Sequence, residues 1–144
     1  PEETAKVLTK DGWFKSGDIG VCDAEGFFKI VDRKKDMIIV SGFNVYPNEI
    51  EDVVAHMPKV LEVAAVGVPD ERSTEAVKIF VVPRDASLTK DELMDYCKQN
   101  LTGYKIPRHI RFVDEFPMTV TGKVQKFAMR EQMVKELAAR EAVR

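Results

Sequence analysis

Three short polar stretches carry side chains that a packed core does not require. The first is Lys15-Ser16-Gly17-Asp18. A carboxylate just after a Ser-Gly turn can accept hydrogen bonds from a pair of ribose hydroxyls. The second runs from Asp32 to Glu51 and begins with the charge run Asp32-Arg33-Lys34-Lys35-Asp36. The guanidinium fork of Arg33 can bind a sugar hydroxyl or a phosphate oxygen. Gly42 lets backbone approach a ligand closely, and a loop here is a suitable place for a hinge. The third is Pro117-Met-Thr-Val-Thr-Gly-Lys123. A lysine beside a glycine on a hydroxyl-bearing loop can reach a phosphate and act as a mobile positive charge. The GxxxxGK[ST] phosphate loop is absent. Taken singly, each stretch reads more readily as ordinary surface: a turn with an exposed Asp, a solvated charge run, and a Thr-Gly-Lys turn.

The sequence between these stretches supplies the elements that must hold them. Residues 1–12 contain a short helix stopped by Asp11-Gly12. Residues 19–22 and 27–31 read as two strands joined by a good turn at 23–26, a hairpin. Residues 37–40 form a short β-branched strand, broken by 41–44. Pro47 opens a helix with acidic residues near its start. Its residues Ile50, Val53, Val54 and Met57 share one face, and Pro58 ends it. Residues 60–68 and 76–82 read as two strong strands separated by a polar loop at 71–75. Thr89 and Glu92 make a capping box for a helix with Leu93, Tyr96, Cys97 and Leu101 on one side, and Gly103 is expected to cap its end. Residues 108–113 read as a further strand. Lys126 opens a last amphipathic helix to about residue 140, with Met129, Met133 and Leu137 along one side. This order predicts an α+β fold: an N-terminal β-hairpin, then a small mixed sheet of about three strands covered by helices.

Composition narrows the function classes. With 144 residues and 44% hydrophobic content a real core is expected. A net charge of −2 argues against a protein held to nucleic acid by bulk electrostatics. Cys22, Cys97, His56 and His109 show no metal-ligand spacing, so no metal site is expected. Two lone thiols fit a reducing, intracellular setting. No apolar run approaches the roughly 18 residues of a membrane span. The chain opens on Pro1 without a Met and reads as a cut within a longer protein.

In order and spacing, the three stretches together resemble the C-terminal end of the adenylate-forming (ANL) superfamily of acyl-CoA synthetases, luciferases and peptide-synthetase adenylation domains. The resemblance covers essentially the whole chain. Gly12-Trp-Phe-Lys-Ser-Gly-Asp18 is similar to its ribose motif. Asp32 through Asp36, Ser41-Gly42 and Pro47-Asn-Glu-Ile-Glu51 look like its hinge motif. Residues 117–123 followed by Lys126 look like its catalytic-lysine motif. The run from Val40 to Glu51 most resembles bacterial long-chain fatty-acyl-CoA synthetases.

The resemblance implies a two-step ligase. ATP and a fatty acid, with Mg2+, give an acyl-adenylate and pyrophosphate; coenzyme A then displaces AMP. Asp18 would hold the ribose hydroxyls and Arg33 would assist there. Lys35 would be the hinge. Lys123 would be the catalytic lysine at the α-phosphate and carboxylate, and Gly42 would line the path of the pantetheine arm. Residues 1–34 would be the tail of a large N-terminal domain, the natural partner of the lid formed by 35–144. The fragment alone is expected to be inactive and to bind no cofactor. The hairpin's exposed strand edges lead to an expectation of homodimer contact. Localisation is expected in the cytoplasm, with the fatty-acid substrate implying peripheral contact at the inner face of the membrane. The sequence departs from the superfamily pattern at Asp32, where Gly often precedes the Arg, and at Ile39, where many relatives carry Lys. Two alternatives stay open: another acyl- or aryl-CoA ligase or acyl-AMP ligase of the superfamily, and a non-catalytic α+β interaction module.

Overall fold

A computed structural model describes residues 1–142. It begins with a short helix, α1 (Glu2–Val7), that buries none of its residues. Strands β1 (Asp18–Cys22) and β2 (Phe28–Arg33) follow as an antiparallel hairpin. The Asp23 carboxylate closes its turn by accepting from the backbone N–H groups of Glu25 and Phe27. The register shifts by one residue between Ile19 and Gly20. Without that bulge, the Gly20–Ile30 register would run on to set Asp18 opposite Asp32. With it, Asp18 faces Arg33, so a like-charge pair is exchanged for an attractive one.

A 3-10 turn (Lys34–Asp36) links this hairpin to a separate five-stranded sheet. The sheet comprises β3 (Ile38–Val40), β4 (Phe43–Val45), β5 (Val60–Asp70), β6 (Thr74–Pro83) and β7 (His109–Phe112). Strand β6 is its axis. It pairs antiparallel with β5 along one edge, and its other edge takes β3 at Thr74 and β7, in parallel, at Lys78–Val81. Helices α2 (Pro47–Ala55) and α3 (Lys90–Asn100) lie on one face and α4 (Lys126–Ala142) on the other.

Both faces of β6 are buried, which is why 76–82 is almost wholly apolar. Val77, Ile79 and Val81 point to the side of Ile50, Val54, Leu93 and Cys97. Ala76, Phe80 and Val82 point to the side of Phe116, Met129 and Met133. The alternation is the two-residue period of a strand. Leu137, expected on the same side of α4, has a side chain outside the described residues.

The small mixed sheet under helices is as expected, but it has five strands rather than about three. Only Ser41 and Gly42 turn the chain, with φ of 50° and 84°. Two successive positive φ values match a two-residue hairpin turn of the primed kind, which frees Phe43–Val45 to pair back on β3. The polar loop shrinks to residues 71–73, because Asp70 Oδ1 accepts from the N–H groups of Arg72 and Ser73 and from the Ser73 hydroxyl. Helix α2 stops at Ala55, before Pro58. Gly103 does not cap α3. That helix ends on extended Leu101, and Gly103 instead opens a 3-10 turn, Gly103–Lys105. The capping box is half made: Thr89 Oγ1 accepts from Glu92 N at 3.2 Å, while the Glu92 carboxylate turns to Lys59 at 3.0 Å.

Candidate functional site

The structure joins the first two polar stretches. Asp18 heads β1 and Arg33 ends β2, and Arg33 Nε lies 3.1 Å from Asp18 Oδ1. Lys34 N donates to Gly17 O at 2.8 Å, so the Ser16-Gly17 turn is tied to the end of the hairpin. Asp18 keeps 28% of its side-chain surface and Arg33 keeps 55%. A carboxylate and a guanidinium are thus held side by side with open hydrogen-bonding positions, which suits a pair of vicinal hydroxyls.

Lys35 is exposed in the 3-10 turn between the two sheets. Gly42 sits at the tip of the β3–β4 hairpin, where a Cβ would meet nothing within 4 Å. Phe43 beside it stacks on Tyr104 at 4.6 Å between ring centroids, with Phe43 itself half exposed. The Gly42 tip is therefore an open backbone edge next to an aromatic ledge.

Lys123 lies on a separate, tightly pinned loop. Thr119 N donates to Lys123 O at 2.8 Å, and Lys123 N donates to Thr119 Oγ1 at 3.0 Å. Gly122 takes a φ of 78° and donates to Thr119 O. Gln125 N donates to Pro117 O, and Met118 bridges Val124. The backbone is fixed on both sides of Lys123, and its side chain is exposed. Among the described residues its ammonium makes no hydrogen bond or ion pair. It makes no hydrogen bond or ion pair with Asp18, Arg33 or Lys35; the third motif meets the second instead through Lys126, whose Nζ lies 2.6 Å from Glu51 Oε1.

Several contacts around these elements escape notice in the sequence. Asp32 is 4% exposed. Its Oδ1 accepts from Arg33 N at 2.7 Å and its Oδ2 from Asn48 N at 2.9 Å, in the first turn of α2. Asn48 Nδ2 returns a bond to Val31 O at 2.9 Å. The end of the hairpin is thereby clasped to the helix N-terminus, where an anion is favoured. Glu51 Oε1 accepts from Ala65 N at 2.7 Å and pairs with Lys126 Nζ at 2.6 Å. Asp36 pairs with Arg130 on α4 at 2.5 Å. Asp32, Asp36, Asn48, Glu51 and Lys126 stand within the motifs, but their partners do not show: contacts of such sequence separation leave no local signal, and Arg130 lies outside every motif.

Other chemistry is not gathered. Among the described residues no group of three or more His, Cys, Asp or Glu could hold a metal. Cys97 is buried, and burial pushes its thiol up to about 11, which makes it a poor nucleophile. Among the described residues no helix is long and apolar enough to cross a membrane.

Comparison with known proteins bears on the family and the fold. Residues 49–123 match the AMP-binding enzyme C-terminal domain. The chain is 58% identical over 135 residues to a long-chain-fatty-acid–CoA ligase of Yersinia pestis, covering 94% of this chain and 24% of that protein. It superposes on ATP-bound MatB from Rhodopseudomonas palustris with a TM-score of 0.85 at 38% identity, over 92% of this chain and 26% of that one. On apo MatB the TM-score is 0.70 at 39% identity, with the same coverage. The chain spans about a quarter of the length of the relatives it matches.

Proposed function

The chain belongs to the AMP-binding enzyme C-terminal domain family, and from that membership we propose that it is the lid of an AMP-forming long-chain fatty-acid–CoA ligase. The full-length enzyme activates a fatty acid with ATP to an acyl-adenylate and pyrophosphate, then passes the acyl group to coenzyme A. The names of the curated relatives supply the substrate class. Such a substrate brings the full enzyme to the inner face of the membrane.

The observation that carries the chemistry is Lys123, an ammonium without a partner among the described residues, on a loop whose backbone is fixed on both sides. Attack of a carboxylate on the α-phosphorus brings two anions together. A positioned ammonium offsets the charge that builds up there, an effect on the order of 3–4 kcal/mol. Asp18, steadied by Arg33, receives the ribose hydroxyls and sets the nucleotide's register. Mg2+, which this reaction implies, finds no carboxylate cage among the described residues.

Residues 1–34 form the tail of the large domain and 35–144 the lid, with the swivel at Lys35. Two facts support that boundary: the 3-10 turn is the covalent link between two separate sheets, and Lys35 is exposed within it. Rotation there takes Lys123 away from the nucleotide and brings the Gly42 tip to the pantetheine path. It must also open the Asp32–Asn48 clasp, which spans the swivel. The higher TM-score with the ATP-bound relative than with the apo form supports assigning the clasped arrangement to the adenylation step.

The test is ATP–pyrophosphate exchange by the full-length protein with fatty acids of graded length. Exchange that rises with chain length, followed by thioester formation on adding coenzyme A, is the expected result. Exchange with aryl or short acids only would replace the fatty-acid reading.

A further inference from the structure

Helix α4 begins three residues after Lys123, and its first two turns carry two basic side chains at i and i+4, Lys126 and Arg130. Neighbours at that spacing lie on one face of a helix. Each enters a partly buried ion pair with a different element of the fold. Lys126 Nζ meets Glu51 Oε1 at 2.6 Å, with side chains 17% and 19% exposed. Arg130 meets Asp36 Oδ1 at 2.5 Å, with side chains 28% and 15% exposed. Glu51 Oε1 also accepts from Ala65 N, so that carboxylate joins α2, β5 and α4 at one point. Asp36 is the residue directly after Lys35.

We propose that Glu51–Lys126 and Asp36–Arg130 are positioning pairs that couple Lys123 to the swivel. Asp36 fixes α4 to the first residue beyond the hinge, and Glu51 fixes the start of α4 to the sheet. Lys123 then moves as one body with the chain that leaves Lys35, and its ammonium arrives at a defined place when the lid is in its adenylation position. The pairs are suited to this by their burial: an ion pair shielded on both sides holds geometry better than a surface pair. Burial of Met129 and Met133 turns one face of α4 toward the sheet, and Arg111–Glu136 ties its later turns to β7 at 2.7 Å. The two pairs at its start fix where the first turns, next to Lys123, sit against α2 and the swivel. None of the four side chains needs to touch substrate, and this role rests on the reading of Lys123 given above.

The experiment uses the full-length enzyme and both half-reactions: pyrophosphate exchange for adenylation, and thioester formation from supplied acyl-adenylate. Asp36→Asn and Glu51→Gln each keep side-chain shape and remove the charge. Each is expected to lower exchange about 10- to 100-fold, the scale of a misplacement of about 1 Å, while thioester formation changes less than about 3-fold. Arg130→Asp alone is expected to behave like Asp36→Asn, and the swap Asp36→Arg with Arg130→Asp to recover most of the exchange rate. Thermal unfolding of each variant is measured alongside. Equal loss in both half-reactions, tracking the drop in Tm and not recovered by the swap, would overturn the positioning role. Lys123→Ala is the reference variant. If it is selective for adenylation and the three single pair variants are not, the positioning role alone fails. If Lys123→Ala leaves exchange intact, the reading of Lys123 fails and the positioning role falls with it.

Discussion

Replacing Asp32 with Asn removes one charge and one acceptor at the end of β2 while keeping the side-chain shape. Asp32 is 4% exposed and accepts from two backbone N–H groups, Arg33 on its own strand and Asn48 on α2, at 2.7 and 2.9 Å. An Asn side chain has one acceptor oxygen, so one of those N–H groups faces an NH2 group that can only donate. Loss of a charge-assisted bond at a helix N-terminus costs about 1–2 kcal/mol. The bond to Asn48 crosses the proposed swivel and exists only in the clasped arrangement, so that cost falls on one of two states. At 1.4 kcal/mol per tenfold, the balance between clasped and open lid shifts by roughly 5- to 30-fold toward open. Two readouts check it in the full-length enzyme. The ratio of adenylation rate to thioester-forming rate should fall by that factor, and hydrogen exchange at the Asn48 amide should quicken by a similar one. An Asn48 amide that exchanges faster while the ratio stays unchanged would refute the idea that the clasp sets the balance.

Two further outcomes concern stability. Gly67 lies on β5 where a Cβ would meet Glu75 Oε1 at 2.7 Å and Ile38 Cγ2 at 3.1 Å. Glu75 cannot easily move aside, because its other oxygen accepts from Ile39 N at 2.7 Å and supports the slender join of β3 to β6. Gly67→Ala should therefore cost about 1–3 kcal/mol and lower Tm by about 5 °C; an unchanged melting curve would contradict this. The second concerns acid. The Ser73 hydroxyl, then the N–H groups of Ser73 and Arg72 and the Arg108 guanidinium, hold the Asp70 carboxyl at about 2, below its ordinary 3.8. A depressed folded value contributes stability above pH 3.8 that is lost as pH falls toward 2. Asp70→Asn should thus unfold more readily than the parent at pH 5, with the difference closing across that window; a gap that persists at pH 2 would refute the assignment.

How much of this is legible in the sequence depends on the range of the interaction. The apolar run of β6 and the 3.6-residue stripe of α2 are local patterns, and both elements form there, although α2 ends at Ala55 and leaves Met57 beyond it. Pro47 stands at the first turn of its helix for the same reason. Strand β4 was hidden because Phe43-Asn44-Val45 is too short to show alternation, and it exists only through the tight Ser41-Gly42 turn. The three polar motifs could be read in order, and the structure sets Arg33 Nε 3.1 Å from Asp18 Oδ1. What could not be read is what joins them. The β-bulge that sets Asp18 opposite Arg33 is an offset of one residue with no composition of its own. The Asp36–Arg130 bond spans 94 residues and the Asp32–Asn48 bond 16. Such pairs follow from tertiary packing, and Asp36 and Arg130 taken singly look like solvated charge.

The central claim is that one active site uses Lys123 in the first half-reaction and the Gly42 face in the second. It is tested most directly by measuring both half-reactions of full-length Lys123→Ala. The prediction is a loss of pyrophosphate exchange of about 100- to 1000-fold, as for one lost oxyanion donor, with thioester formation from supplied acyl-adenylate retained. Equal loss in the two half-reactions would contradict the account.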